Sequence, residues 1–354
     1  MGEGHRWGRA AGRGAPQMGG ELPAQRRSTN KMEFPPQVGE NLPMTHPSLS
    51  SCTLCPRACR SDRAAGSRGA CHADSDVRLA RAALHYWEEP PISGTRGSGT
   101  VFFSGCALGC AYCQNAHIAS GEIGRTVSIE RLAEIFLELQ DKGAHNINLV
   151  TPTHYALQIR EALDLARPDL RVPIVWNTGG YETPETIALL DGYVDVFLTD
   201  FKYASGELAA RYSSAPDYPE AASRALDAMH ALVDQARFAS GEVGDAEPPE
   251  GALMTRGIIV RHLMLPGHLN DSMAVIDLLA EKPYAGDLWL SLMSQYTPMP
   301  GIAENFPELA DPVREDDYLA LVDHALSRGF ERSFMQEGGS VGESFIPDFD
   351  YEGV

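Results

Sequence analysis

Short apolar runs alternate with amphipathic stretches along most of the chain from Gly99 onwards. An apolar run bounded by turn residues is typical of a strand buried on both faces, and the stretches between the runs have helical spacing. The predicted strands cover 101–103, 147–150, 173–176, 194–198, 257–263, 288–293 and 330–334. Because strands that alternate with helices form parallel sheets, we expect an α/β fold, a partial (β/α) barrel of about six parallel βα units.

The predicted helices fill the segments between these strands. One follows Ser128, whose hydroxyl can cap a helix, and ends at Gly143. Its apolar side chains share one face: Ile129, Leu132, Ile135, Phe136 and Leu139. A second opens at Thr183-Pro184, and others are predicted over 155–166, 205–237 and 317–328. In such folds active-site residues gather at the carboxyl ends of the strands, so candidate chemistry is sought there.

The two ends of the chain differ from this central region. Residues 1–47 are rich in Gly, Pro, Arg and polar residues, which predicts a disordered tail. Residues 48–98 contain four cysteines and predict a small N-terminal cysteine-rich metal module and linker. The barrel is expected over 99–335 and a C-terminal tail over 336–354.

Composition and charge narrow the class of protein. The 354 residues are 43% hydrophobic and 22% charged, which is typical of a globular protein. The 29 basic and 48 acidic residues give a net charge of −19, which repels phosphates and makes nucleic acid an unexpected partner. No apolar run is long enough to span a membrane, so we expect no membrane partner and a cytoplasmic location.

Seven cysteines fall into a group of four and a group of three. An odd number without signs of secretion argues against a disulfide framework. The group of three follows the first predicted strand in the run Gly-Cys-Ala-Leu-Gly-Cys-Ala-Tyr-Cys-Gln-Asn (105–115). Thiolates from Cys106, Cys110 and Cys113 can hold three irons of a cubane cluster and leave the fourth iron open. A structural zinc site is the alternative for three cysteines.

This C-x3-C-x2-C run, placed directly after the first strand of a βα series, resembles the motif of the radical S-adenosylmethionine (SAM) superfamily. The resemblance implies an enzyme in which Cys106, Cys110 and Cys113 hold a [4Fe-4S] cluster whose open iron binds SAM. It implies that the reduced cluster cleaves SAM to methionine and a 5′-deoxyadenosyl radical, which abstracts hydrogen from a substrate. A low-potential electron donor, flavodoxin or ferredoxin, is implied as a partner, and Tyr112 is expected against the adenine.

Within the superfamily, residues 50–335 resemble the PflX branch, relatives of the pyruvate formate-lyase activating enzymes. The runs that carry the resemblance are Cys-Thr-Leu-Cys-Pro-Arg-Ala-Cys (52–59), Val-Thr-Pro-Thr-His (150–154), Thr-Asp-Phe-Lys-Tyr (199–203), Arg-His-Leu-Met-Leu-Pro-Gly (261–267) and Met-Ser-Gln-Tyr (293–296). The D-x-K pair, Asp200 and Lys202, is thereby implied to lie in the SAM pocket, with the Lys202 ammonium at the SAM carboxylate. A surface ion pair is the alternative for these two residues.

Further cofactor-binding residues are expected at the same strand ends. Thr153 and His154 stand where most superfamily members carry Gly-Gly-Glu, so we expect one of them near the SAM amino group. Asn177 and Thr178 resemble a Thr-Asn-Gly turn of the activating enzymes and are expected at the ribose or methionine end, although a plain glycine-rich turn is the alternative. The remaining candidates are Asn115 and His262, the latter also compatible with a structural role.

The first four cysteines, Cys52, Cys55, Cys59 and Cys71, have the spacing C-x2-C-x3-C-x11-C. Four thiolates close a metal site, as in structural zinc or a saturated iron–sulfur cluster. Zinc would fold a short, core-poor segment, whereas a second cluster would relay electrons or contact the substrate. The spacing matches neither site in its common form, so both interpretations stay open.

Three functions compete on this sequence. The resemblance to activating enzymes favours hydrogen abstraction from a glycine of a protein substrate, which activates a glycyl-radical enzyme. The missing Gly-Gly-Glu run and the four cysteines ahead of the motif favour a small molecule or another side chain as substrate. A non-catalytic iron–sulfur sensor is the third. It would bind no SAM and therefore does not explain the presence of Asp200 and Lys202 after a strand.

Overall fold

One mixed sheet forms the centre of the protein. The structure is a computed structural model that describes residues 7–9, 48–239, 251–336 and 347–354. The strands are β1 (Trp7–Arg9), β2 (Val77–His85), β3 (Ser98–Phe103), β4 (Arg125–Val127), β5 (Ile147–Val150), β6 (Ile174–Thr178), β7 (Val196–Asp200), β8 (Arg237–Phe238), β9 (Met254–Leu263), β10 (Trp289–Met293) and β11 (Ser333–Gln336). The α-helices are α1 (Pro90–Ser93), α2 (Ala116–Ala119), α3 (Ile129–Asp141), α4 (Ala156–Ala166), α5 (Pro184–Ala188), α6 (Gly206–Ser213), α7 (Tyr218–Val233), α8 (Leu269–Ala280), α9 (Ile302–Asn305) and α10 (Glu315–Ser327).

Seven strands run parallel in the order β3-β5-β6-β7-β9-β10-β11. This order follows the chain, as it does where each crossover returns to the neighbouring strand position. Antiparallel strands extend both ends, β2 and β4 beyond β3 and β1 beyond β11, and the hydrogen-bonded path does not close within the described residues. The predicted α/β fold with a partial barrel is confirmed.

The parallel strands are buried on both faces, as expected of a sheet that is covered by helices. All six residues of β3 and all five of β6 are buried. On the outer face, α3 buries four of the five side chains that the sequence pattern predicted, Leu132, Ile135, Phe136 and Leu139, and Ala133 with them, whereas the fifth, Ile129, is only partly buried. Its first turn is capped because the Ser128 Oγ accepts a hydrogen bond from the Arg131 N–H at 3.1 Å.

The strand β2 differs from the sequence prediction, which assigned its residues to the N-terminal module. It pairs antiparallel with β3 from Leu79 to His85 and with β4 from Val77 to Leu79, so it belongs to the main sheet. Its alanine-rich composition gives no strand signal, and the pairing with β3 decides its conformation. The helix α8 was also not predicted.

Residues near both ends of the sequence hydrogen-bond to strands of the sheet. Of the predicted tail over 1–47, the structure describes Trp7–Arg9, which pair with β11. The rest of that tail lies outside the described residues. At the other end, the Tyr351 N–H donates to the Ala80 carbonyl at 3.1 Å, and the Ala82 N–H donates to the Glu352 carbonyl at 2.8 Å. Residues 347–354 therefore pack along β2. No helix in the described ranges is both long and apolar enough to cross a membrane.

Candidate active site

A cavity of about 260 Å³ opens at the carboxyl ends of the parallel strands. The loop after β3, residues 105–115, forms one wall, and we call it the cluster loop. It contributes Cys106, Cys110, Tyr112, Cys113 and Asn115 to the lining. The opposite wall includes Asn177, Thr178, Asp200 and Lys202 from the ends of β6 and β7. Nine of the predicted site residues therefore meet in one cavity, and their roles there remain predictions.

The cluster loop is held by backbone hydrogen bonds at several points. Gly105 has a φ of +95°, and a Cβ added to it would lie 2.5 Å from the Cys71 carbonyl oxygen, so only glycine fits there. The Cys106 N–H donates to that same carbonyl at 3.1 Å. Farther along, the Ala111 N–H donates to the Tyr212 carbonyl at 2.7 Å. The loop is thus fixed both to the N-terminal region and to the end of α6.

A chain of hydroxyl groups leads from the cavity wall to one of the thiols. The Tyr112 and Tyr203 hydroxyls are 2.6 Å apart, and the Tyr203 hydroxyl lies 2.7 Å from the Ser213 Oγ. The Ser213 Oγ in turn donates to the Cys110 Sγ at 3.0 Å. A hydrogen bond to sulfur stabilises the thiolate form, which is the form that binds iron.

Two thiols of the cluster loop, those of Cys106 and Cys113, need a cation to ionise at neutral pH. Burial, followed by the charges of the neighbouring cysteines, raises the pKa of Cys106, and burial likewise raises the pKa of Cys113 to about 11. Soft iron centres supply the missing positive charge and prefer thiolate ligands, so this donor set fits three irons of an iron–sulfur cluster. Within the described residues, no three His, Cys, Asp or Glu side chains converge closely enough to hold a single metal ion.

Three charged side chains face one another across the cavity from the cysteines. The Lys202 Nζ lies 2.5 Å from the Asp200 Oδ2, and the Arg261 Nε lies 2.9 Å from the Asp200 Oδ1. Burial acts to raise the pKa of Asp200, but the positive charges of Arg261 and Lys202 outweigh it and lower that pKa. Lys202 and Arg261 both line the cavity, where their charged N–H groups can donate to a carboxylate ligand.

Arg261 and Glu88 belong to this ion group and were not predicted. Glu88 Oε2 lies 3.5 Å from Arg261 Nη1, and its Oε1 accepts from the side-chain amides of Asn148 and Asn177 at 2.9 and 3.2 Å. Asn177 also accepts from Arg261 Nη2 at 2.7 Å, so its amide serves this network. Arg261 could have been predicted from the sequence, because it is a charged residue within the largely apolar strand β9. Glu88 lies before β3, outside any motif or periodic segment, so the sequence gives no indication of its role.

Two residues predicted after β5, Thr153 and His154, do not line the cavity. Thr151 lines it instead, and its φ of +56° turns the chain so that the next residues lead away. The Thr153 hydroxyl donates to the buried Glu182 Oε1 at 2.5 Å, behind Thr178, which donates to the same oxygen. Sequence spacing could not reveal this turn, because a non-glycine residue rarely adopts a left-handed conformation.

The two buried histidines have structural surroundings. The His154 Nε2 is 2.8 Å from the Ser104 carbonyl oxygen, and the His262 Nδ1 is 2.8 Å from the Phe201 carbonyl oxygen. His262 follows Arg261 on a strand, where successive side chains point to opposite faces, so it points away from the cavity. Burial lowers the pKa of His154 to about 3 and that of His262 to about 4. Neither histidine is among the residues that line the cavity, and their part in cofactor binding stays a prediction.

The N-terminal cysteine set, which comprises Cys52, Cys55, Cys59 and Cys71, lies next to the cluster loop. A Cβ built on Gly69 would lie 3.3 Å from the Cys59 Sγ and 3.5 Å from the Cys71 Sγ, so these thiols are neighbours. Burial raises the pKa of Cys55 to about 12, with further contributions from the other three cysteines. Burial also acts on Cys59, but hydrogen bonds from backbone groups of Ser61 and Ala70 lower its pKa.

A buried arginine offsets negative charge beside this set. Arg63 is fully buried, and its guanidinium donates to the carbonyls of Asp74 and His154 at 2.7 and 2.6 Å. Its Nη1 also lies 3.7 Å from the Cys52 Sγ. A buried cation favours thiolates close to it, as a metal site with four thiolates requires.

Comparison with known proteins agrees with this geometry. Residues 100–238 match the family model of the radical SAM superfamily. An uncharacterized protein of Methanocaldococcus jannaschii, MJ0674, is 28% identical over 250 residues, which make up 68% of this chain and 63% of that protein. The chain therefore spans less than two thirds of the length of this curated relative.

Solved structures of SuiB from Streptococcus suis are similar at a lower level. The complex with the precursor peptide SuiA has a TM-score of 0.42 at 11% identity and covers 66% of this chain and 47% of SuiB. The complex with S-adenosylmethionine has a TM-score of 0.41 at 12% identity and covers 69% of this chain and 52% of SuiB. A likeness at these TM-scores is too weak to support a conclusion.

The matched segment includes the whole cluster loop together with Asp200 and Lys202, so the similarity to the superfamily covers these predicted site residues. The superfamily implies a [4Fe-4S] cluster and SAM as its cofactors.

Proposed function

We propose that the cavity binds SAM beside a [4Fe-4S] cluster held by Cys106, Cys110 and Cys113. When bound and reduced, the cluster supplies the electron that cleaves SAM to methionine and a 5′-deoxyadenosyl radical. The observation that carries the proposal is the presence of three cysteines and the Asp200–Lys202–Arg261 ion group on facing walls of one cavity. A structural zinc site would not need that ion group opposite its thiols.

The residues of the chain bind and orient the cofactors in this proposal. Lys202 and Arg261 attract the SAM carboxylate, and Asp200 holds both cations in place. The Thr178 hydroxyl donates to Glu182 and accepts from the Gly180 N–H at 3.4 Å, so one lone pair of its oxygen stays available to accept from an ammonium or hydroxyl group of the ligand. Tyr112 offers a buried aromatic face to the adenine.

Product formation tests this reaction. The protein is purified anaerobically, reconstituted with iron and sulfide, and incubated with SAM and dithionite, and 5′-deoxyadenosine is then quantified. The wild type is expected to form 5′-deoxyadenosine, and a Cys106/Cys110/Cys113→Ala variant is expected to form none. Equal yields from the two proteins, or no product from a cluster-loaded wild type, would refute the proposed reaction.

The hydrogen donor is proposed from the resemblance to the PflX branch of activating enzymes. A glycine of a partner protein is the first candidate, which makes the chain an activator of a glycyl-radical enzyme. Deuterium transfer into 5′-deoxyadenosine from labelled cell extract tests this donor. Transfer from the protein fraction supports it, whereas transfer from the small-molecule fraction would replace it with a small substrate.

The remaining partners and the location are proposals as well. A low-potential flavodoxin or ferredoxin is the proposed electron donor, and the cytoplasm is the proposed location. The N-terminal cysteine set is proposed to hold zinc or a second iron–sulfur cluster. The effect of the other three cysteines on the pKa of Cys55 and the buried Arg63 support a metal centre, and the absence of three thiols that converge on one ion in the described residues favours the cluster. Metal analysis of the reconstituted protein distinguishes them: about four irons and one zinc indicate zinc, and about eight irons indicate a second cluster.

A further inference from the structure

Arg57 reaches from the N-terminal cysteine set to the cluster loop. It lies in the turn between Cys55 and Cys59. Its Nε donates to the Ala107 carbonyl at 2.9 Å, and its Nη2 donates to the Ser213 carbonyl at 3.1 Å. Its Nη1 donates to the Ser214 carbonyl. One planar guanidinium thus joins the cluster loop to the carboxyl end of α6.

The groups that Arg57 joins are those that place two of the cluster-binding thiols. Ala107 directly follows Cys106, and the Ser213 hydroxyl donates to the Cys110 Sγ at 3.0 Å. The last carbonyls of a helix lack partners within the helix and carry partial negative charge. In α6 they accept from Arg57 and from the cluster loop, so a cation at this position stabilises both segments.

A second connection runs through Cys71, which is itself a member of the N-terminal cysteine set. Its carbonyl accepts from the Cys106 N–H at 3.1 Å. The N-terminal cysteine set is thus connected to the cluster loop at two points, by the Arg57 side chain and by the Cys71 backbone carbonyl.

The backbone around the N-terminal cysteine set is strained. Ala58 and Arg60, on either side of Cys59, have φ values of +39° and +54°, and His72, after Cys71, has a φ of +63°. A residue with a side chain pays of order 1–2 kcal/mol for the left-handed conformation, so other interactions must hold these turns. Bonds from thiolates to a common metal centre are such interactions, because they fix Cys55 and Cys59 around Arg57.

We propose that metal binding by the N-terminal cysteine set holds the cluster loop in its cluster-binding conformation, and that Arg57 is the positioning residue that transmits this effect. The proposal rests on the proposed function, because it assumes a cluster at Cys106, Cys110 and Cys113. It is made for a second iron–sulfur cluster, since no three thiols of the described residues converge on a single ion, and such a cluster would fix the turn between Cys55 and Cys59.

The test compares Arg57→Gln with Arg60→Gln, which removes the same charge from an exposed arginine beside the same cysteine set. The readout is the rate at which an iron chelator removes iron from the reconstituted protein. Iron held by the N-terminal set is measured in the Cys106/Cys110/Cys113→Ala variant and subtracted. We expect Arg57→Gln to lose iron about ten- to a hundredfold faster than wild type, because hydrogen bonds from a charged group are lost. Arg60→Gln should match wild type.

Two further variants test whether the planar shape of the Arg57 guanidinium and the N-terminal metal site matter in addition to the charge of Arg57. Arg57→Lys keeps the charge but not the planar fork, so it should lose iron almost as fast as Arg57→Gln. Cys59→Ser weakens the N-terminal metal site at an exposed residue and should also accelerate iron loss. The double variant Arg57→Gln/Cys59→Ser should be no faster than the faster single variant, because both changes break one connection.

Wild-type rates in Arg57→Gln, full recovery in Arg57→Lys, or additive effects in the double variant would each overturn the proposal. Circular dichroism of each variant shows whether it is folded, and if Arg57→Gln fails to fold, Arg57→Lys and Cys59→Ser still decide the question. Failure of the proposed function gives a different result: the wild type retains its iron but forms no 5′-deoxyadenosine from SAM.

Discussion

The charges around Lys202 show how single residues determine what the cavity can bind. Lys202 and Arg261 both pair with the carboxylate of Asp200, Arg261 pairs with Glu88 as well, and both cations line the cavity. Burial acts to lower the pKa of Lys202, but the charge of Asp200 raises it well above its usual range, so the ammonium stays protonated. A carboxylate ligand would therefore meet a permanent positive charge.

Replacement of this ammonium should weaken SAM binding. We expect Lys202→Met to raise the Kd for SAM about ten- to a hundredfold, because a charge-assisted hydrogen bond is lost. Equilibrium dialysis with the oxidised, cluster-loaded enzyme measures the Kd without turnover. Lys142→Met, an exposed lysine after α3, is the matched control and should leave the Kd unchanged. An unchanged Kd in Lys202→Met would remove Lys202 from the binding site.

The two buried histidines should make the fold sensitive to acid. The pKa of His154 is about 3 in the folded chain against an ordinary 6.5, so between these values the unfolded chain binds a proton that the folded chain does not. Stability from this group is thus complete above pH 6.5 and declines as the pH falls towards 3. His262, with a pKa of about 4, acts in the same direction.

Replacement of one histidine should reduce this acid sensitivity. Between pH 6.5 and 4, we expect His154→Gln to flatten the dependence of the unfolding free energy on pH by up to about 1.4 kcal/mol per pH unit. Urea unfolding at several pH values measures the slope. The exposed His117→Gln is the control and should keep the wild-type slope. If His154→Gln keeps it too, His154 is not the acid-sensitive group.

Single residues were predictable from the sequence only where they belong to a contiguous motif. The cysteines of the cluster loop and the pair Asp200 and Lys202 follow directly after strands, and they line the cavity. Arg261 and Glu88 come from segments far apart in sequence and meet only in the folded chain. Thr153 and His154 were misplaced because the left-handed Thr151 redirects the chain before them.

At the scale of elements, periodicity identified the parallel strands and α3 because each buries a continuous apolar face. Elements that depend on distant partners were missed. The strand β2 forms because its backbone hydrogen-bonds to the edge of β3. Residues 347–354 hydrogen-bond to part of the other edge of β2. The alanine-rich sequence of β2 has no regular alternation of apolar and polar residues from which its pairing with β3 could be predicted.

The packing of this C-terminal segment can be tested at a glycine. Gly353 has a φ of +74°, and an added Cβ would lie against the Ala82 carbonyl oxygen, so Gly353→Ala should displace the segment from β2. Gly192→Ala, with a φ of +72° and open space around its Cβ position, carries the same backbone strain without the clash. We expect Gly353→Ala to destabilise the protein by about 1 kcal/mol more than the control.

Amide exchange at Ala82 is the local readout for this pair of variants. Its N–H donates to the Glu352 carbonyl at 2.8 Å, so protection should fall in Gly353→Ala and persist in Gly192→Ala. Wild-type protection in Gly353→Ala would show that the C-terminal segment does not depend on this contact.

At the scale of the whole molecule, the open barrel joins three features that are separate in sequence. Its carboxyl edge brings the cluster loop to face the ends of β7 and β9, and the N-terminal cysteine set lies behind that loop. The barrel itself was predictable from the alternation of strands and helices. The contact between the two cysteine groups was not, because it depends on single hydrogen bonds from Arg57 and Cys71.

We propose that the chain holds a cluster with one open iron in the cavity and that SAM binds there. Electron paramagnetic resonance of the dithionite-reduced protein, recorded before and after addition of SAM, tests it most directly. We predict a cluster signal whose g values shift when SAM is added, in the wild type and equally in a variant of the N-terminal cysteine set that retains the cluster. A reduced-cluster signal that SAM leaves unchanged would contradict the claim.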